Sequence, residues 1–271
     1  AVHSAVGVGI LAVAGQVNSV GSLFHGTLSI AAAPVMSELH ERGAMEPMKR
    51  LYQATSKWSF TLNLPLFLVV VLFPVPILSV FGPSFVAGSA ALVILACSNL
   101  ISAATGLGSV IITMTGHTSL NLVNSVIAAG LSIGLSILLI PPWGVLGATV
   151  AALTTSASVS ILILVQIFVL YRILPYNRGF LKPILAGLAA AMLALGVDRL
   201  MPLESGFVRA IIASAVLLVT YASLLLLLGL SQEDRMVLDR VTERIMAASP
   251  RRNATSRAPE EVEEDPFASL E

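Results

Sequence analysis

From Trp58 to Tyr171 the chain runs for 114 residues without one Asp, Glu, Lys or Arg. Apolar residues in this stretch do not alternate with polar ones, and runs such as LFLVVVLF (66–73) and, further on, LLVTYASLLLLLGL (217–230) are apolar on every face. Spanning strands would alternate over about ten positions, so the pattern predicts helices. A hydrocarbon core of about 30 Å takes roughly 20 apolar residues per helix. Glycine, proline and polar punctuation divides the chain into seven such segments. They run from Ala5 to Met36, Trp58 to Phe81, Val86 to Met114, Leu120 to Ile140, Val145 to Tyr171, Pro183 to Leu200 and Phe207 to Leu230. The corner IPPWG between the fourth and fifth predicts a tight hairpin, with Pro141 and Pro142 ending one helix. The expected fold is an all-α polytopic membrane bundle of about seven transmembrane helices.

Composition sharpens this picture. Of 271 residues, 56% are hydrophobic and 11% charged, against about 25% charged in a soluble domain. No soluble fold could cover the charge-free stretch with polar surface. The basic residues are segregated: 13 of 15 fall in alternate loops, at 37–57, 172–182 and beyond Leu230, leaving only Arg199 and Arg209 for the other side. The positive-inside rule makes the rich side cytoplasmic, with the first helix starting outside and the tail ending inside. Trp58 and Trp143 fall at expected interfaces. Segment 37–57 reads as a charged, partly helical loop lying on the membrane. Residues 231–248 read as an amphipathic cytoplasmic helix with Met236, Val237, Val241 and Ile245 on one face, and 249–271 as a disordered acidic tail. A zero net charge suggests no nucleic-acid partner. The single Cys97 excludes an intramolecular disulfide framework or a Cys-based metal cluster. The opening AVHSAVGVGI has no initiator Met and no basic leader, and reads as a start partway through a longer protein.

Catalytic chemistry is not expected. The spans hold no paired carboxylates, no HExxH and no Gly-rich phosphate loop, and no Asp, Glu or Lys lies at membrane depth to activate a serine. No cofactor or metal is therefore expected, and no buried acid marks an ion pump. What remains at membrane depth is polar and uncharged. Gln16, Asn18 and His25 lie in the first helix, Asn63 in the second, Asn99 in the third, Asn121 and Asn124 in the fourth and Gln166 in the fifth. In lipid such groups must face protein or water. They serve either as interhelical hydrogen bonds or as the lining of a hydrated cavity. Gln16, Asn18, His25, Asn99 and Asn124 are the cavity candidates, the first three because Gly15, Gly21 and Gly26 share their helix. Gly130 and Gly134 form a GxxxG, and Gly144, Ala148, Ala152, Ser156 and Ser160 recur every four residues, both read as packing surfaces.

The order of landmarks resembles a known family. AVGVGILAVAGQV followed by AAAPVMSELHERG is similar to a helix and charged loop of oligosaccharide flippases. LPLFLVVVLFPVPILSVFGPSF, ALVILACSNLISAATGLGSVIITMTGHTSLNLVNS and LLIPPWGVLGATVAA resemble the helices and corners that follow, in order, over about residues 5–180. The resemblance is to the polysaccharide-flippase branch of the multidrug/oligosaccharidyl-lipid/polysaccharide exporter superfamily. It implies two six-helix lobes that move a lipid-linked oligosaccharide across a bacterial inner membrane by alternating access. Residues 1–180 would then be five helices of the C-terminal lobe and 181–230 an added hairpin. An N-terminal lobe of the same polypeptide would be the partner, along with membrane lipids. A cation-coupled multidrug exporter of the same superfamily and a non-transporting scaffold subunit are the alternatives.

Overall fold

The computed structural model describes residues 2–201 and 206–228. The expected helix at 231–248 and tail at 249–271 lie outside the described residues. Eight α-helices follow one another: α1 Val2–Glu41, α2 Met45–Leu72, α3 Pro74–Ser79, α4 Ser89–Thr105, α5 Gly108–Met114, α6 Thr118–Tyr171, α7 Leu181–Leu200 and α8 Gly206–Leu227. Two 3-10 turns, Pro83–Gly88 and Arg178–Phe180, complete the described chain, and no strand occurs among the described residues. The fold is all-α, as the apolar runs predict.

Six helical stretches are long and apolar enough to cross a membrane, one fewer than the sequence predicts. The difference lies in α6. A straight helix of its 54 residues would be about 80 Å long, far beyond a bilayer. At Gly144 the backbone takes φ 56°, ψ −126°, a conformation open to glycine because it has no Cβ, and the chain folds back. Asn124 and Gln166, 42 positions apart, exchange two amide hydrogen bonds of 2.8 and 2.7 Å across the two arms. Near the far end, Tyr171 Oη lies 3.3 Å from His117 Nδ1. Both pairs are centred on residues 144–145, so α6 is an antiparallel hairpin of two spanning arms, 118–143 and 145–171. Pro141 and Pro142 sit inside the first arm, and the turn is made by Gly144 rather than by the prolines. At Gly147 a side chain would collide with the Leu139 carbonyl, so this glycine lets the arms meet at the tip.

Three other expectations shift. Segment 37–57 is no separate surface loop: α1 and α2 run on as helices and meet at a three-residue turn. Gly43 takes φ +65° there, while the Ala44 N–H reaches the Leu39 carbonyl and the Gly43 N–H the His40 carbonyl, both at 2.9 Å. This is the helix-ending motif that glycine permits, and an Arg42–Glu38 ion pair of 2.8 Å supports it. The second predicted span ends early, at Phe73, because Pro74 brings no N–H, and the chain restarts as the six-residue α3 with Pro74 in its first turn. The third predicted span, 86–114, is broken in two at Gly106.

Helix α2 is the axis of the bundle, packing against α1, α4 and α7. One face carries small and polar buried residues, Thr55, Ser56, Ser59 and Asn63, which suit close approach in a membrane protein. The other meets α7, where Ala186, Ala190 and Ala194 form a buried stripe against Phe60, Leu64 and Leu217. Tyr221 donates to the Thr61 carbonyl at 2.9 Å, and Arg209 pairs with Asp198 at 2.8 Å across the α7–α8 hairpin. A second apolar cluster gathers Met36, Met48, Tyr52, Ile111, Ile112 and Ile167 near the basic face, and a third joins Ala14, Leu78 and Leu92 at the opposite side.

Candidate functional site

The break between α4 and α5 opens onto a polar space between the apolar helices. Gly106 takes φ +68°, ψ −146°, a glycine conformation. It lies against Ser56 of α2 so closely that any side chain would strike the Ser56 Oγ and Cβ. Helices α4 and α5 therefore meet α2 without filling the corner beside it. The Tyr52 hydroxyl donates to the Thr105 carbonyl at 2.9 Å, satisfying an acceptor that the broken helix releases.

Beside this corner lies an open groove of about 270 Å³, bounded by α1, α4, α5 and both arms of α6. Its polar lining is His25, Ser102, Thr105, Ser109, Thr155, Ser156 and Ser160. None of the residues lining it is charged. The Ser102 and Thr105 hydroxyls bond back to carbonyls of their own helix, at 3.1 and 3.0 Å. Thr155 Oγ1 is buried and has no hydrogen-bond partner among the described residues, and the same holds for Ser56 Oγ behind Gly106. Unsatisfied buried hydroxyls are uncommon and costly. The groove thus offers an imidazole and a set of neutral donors and acceptors in a low-dielectric setting. It can hydrogen-bond a hydroxyl-bearing group.

One helical turn away is a polar layer that closes the groove from a second space. His25 Nδ1 lies 3.2 Å from Ser59 Oγ. Asn63 donates to the Ser59 carbonyl at 2.9 Å, and Asn99 donates to Asn63 Oδ1 at 3.4 Å. Gly21 makes room, since a Cβ there would collide with both amides. Beyond the layer is an apolar cavity of about 170 Å³ between α1, α2, α3 and α4.

The five residues singled out from the sequence separate accordingly. His25 lines the groove, and Asn99 belongs to the layer beside it and lines the apolar cavity beyond. Asn124 does not line either cavity: it is buried, and the pair with Gln166 that holds the α6 hairpin takes its amide. Gln16 is exposed on α1, away from both spaces. Asn18 is on the same helix, and its side chain lies outside the described residues. Sequence reasoning missed Ser102, Thr105, Ser109 and Thr155, and it read Ser156 and Ser160 as packing positions. The available signal was the TGLG tetrapeptide, two glycines inside a single apolar run. The GxxxG of Gly130 and Gly134 is exposed and packs against nothing described.

Comparison with known proteins agrees at the level of class. No protein-family model matches the chain. An uncharacterized membrane protein of Methanocaldococcus jannaschii is 27% identical over 171 residues. The long apolar helices and this likeness decide the class. This chain is a multi-pass membrane protein. The match takes in 62% of the chain and 33% of the relative, so the chain spans about a third of the length of that relative.

Proposed function

We propose that this chain is part of a transporter that flips a lipid-linked oligosaccharide across a bacterial inner membrane by alternating access. The observation that carries the reading is the uncharged hydroxyl groove at a helix break, about two helical turns inside the basic face of the bundle. Discontinuous helices build substrate sites in many transporters, and non-helical backbone at membrane depth is tolerated only where it meets protein or a cavity. Neutral donors suit sugar hydroxyls. The lining is neutral throughout, which supports a hydroxyl-rich cargo. The order of landmarks from AVGVGI to IPPWG supports the same family reading.

In this reading the basic ends of α1, α2 and α6 face the cytoplasm, following the positive-inside rule, and the tail is cytoplasmic. The chain acts as a carrier and not as an enzyme. It works with a second helical lobe of the same polypeptide and with membrane lipids. A strain lacking the full-length gene tests this. It is expected to lose surface polysaccharide and accumulate the lipid-linked precursor, with rescue by the intact gene but not by a Thr155→Val/Ser156→Ala variant present at equal level in the membrane. Unchanged export in the deletion strain would refute the flippase reading and favour a scaffold.

A further inference from the structure

The break itself separates two differently anchored parts of the molecule. On one side, Leu92 of α4 is buried with Ala14 and Leu78. On the other, Ile111 and Ile112 of α5 are buried with Met36, Met48 and Tyr52. Only residues 106 and 107 connect α4 to α5, and Gly106 can move between helical and non-helical backbone without a side-chain penalty. In an unbroken helix the Thr105 carbonyl would accept the Ser109 N–H; here it accepts the Tyr52 hydroxyl at 2.9 Å. Ser102, Thr105 and Ser109 are spaced three and four apart, so an unbroken helix would place them on one face. Ser56 Oγ, fully buried behind Gly106 and without a partner among the described residues, is a cost carried by the broken state.

We propose that the Thr105–Gly108 break is a hinge, that straightening it closes the His25 groove, and that Tyr52 holds it open. The proposal rests on the groove being part of a transport path. Its geometry alone, however, makes the test, which needs no cargo. Tyr52 and Ser56 then act in opposite directions. Removing the Tyr52 hydroxyl frees the Thr105 carbonyl for the helix and favours the closed state. Removing the Ser56 hydroxyl deletes the unpaired group and favours the open one.

The experiment uses the full chain in proteoliposomes with Cys97 replaced by Ala. Ser109→Cys reports the groove through its rate of labelling by a membrane-impermeant maleimide. A spin-label pair at Ile101→Cys and Thr118→Cys, both exposed, reports the distance across the break. The wild type is expected to show a major and a minor distance, and Tyr52→Phe to shift their ratio about two- to tenfold towards the minor one, the shift set by one hydrogen bond, with correspondingly slower labelling. Ser56→Ala is expected to speed labelling and to shrink the share of the minor distance. Should Tyr52→Phe fail to fold, the Ser56→Ala arm still decides. A single unchanged distance and unchanged labelling in the variants that fold would overturn the hinge, whatever a transport assay shows. A change in the same direction for both variants would overturn the assignment of Tyr52 as the residue that holds it open.

Discussion

At the scale of single residues, the molecule handles membrane-buried polarity by pairing it or by concentrating it. Asn124 and Gln166 are the paired case, each amide both donating and accepting. Replacing Gln166 with Leu leaves Asn124 buried without its partner and is expected to cost about 1–3 kcal/mol. The double variant with Asn124→Leu should recover part of that loss, with a coupling of about 0.6–2 kcal/mol. Unfolding of the purified chain in mild detergent measures both, and additive losses would show that the pair does not hold the hairpin. Gly106 is the concentrated case. Gly106→Ala is expected to lose about 1–3 kcal/mol from backbone strain, beyond its collision with Ser56. Adding Ser56→Gly should relieve the contacts with Oγ and Cβ but leave the close approach to the Ser56 Cα and the strain, so full recovery of stability in the double variant would contradict the strained geometry.

At the scale of elements, two glycines make opposite choices. Gly144 reverses the chain and turns α6 into two spans, whereas Gly106 interrupts a span without reversing it. The first was legible in the sequence because Pro141, Pro142, Trp143 and Gly144 form dense punctuation between two runs that are each of spanning length. The second was not, because TGLG lies within a run of spanning length, and two glycines there fit close helix packing equally well. What decides it is Tyr52, 53 positions earlier, whose hydroxyl takes the Thr105 carbonyl, and no local pattern carries that information. The hairpin predicts that Thr118→Cys and Leu174→Cys react with impermeant reagents from one side of the membrane and Trp143→Cys from the other; reaction of Thr118→Cys and Leu174→Cys from opposite sides would mean a single crossing. Docking of α7 on α2 is testable through Gly187, where a Cβ would come within 2.9 Å of Leu64 Cδ2. Gly187→Leu overpacks this contact and is expected to cost about 1–3 kcal/mol, read as a lower melting temperature in detergent. An unchanged melting temperature would place the α7–α8 hairpin elsewhere.

At the scale of the whole molecule, the all-α membrane architecture followed from apolar periodicity and loop charge alone, while the groove did not. Its lining comes from five helical stretches, and residues such as Ser156 and Ser160 share the four-residue spacing of an ordinary packing stripe. Only the fold shows that this stripe faces His25 and the α4–α5 break. The central claim is that this uncharged groove serves passage of a hydroxyl-rich lipid-linked cargo. Its most direct test is translocation in proteoliposomes holding the full-length polypeptide, with a fluorescent lipid-linked oligosaccharide followed by quenching from one side. The account predicts protein-dependent flipping that falls at least several-fold in the combined His25→Leu/Thr155→Val variant while the fold is retained. Flipping at the wild-type rate in that variant, or no flipping by the wild-type protein above empty vesicles, would contradict it.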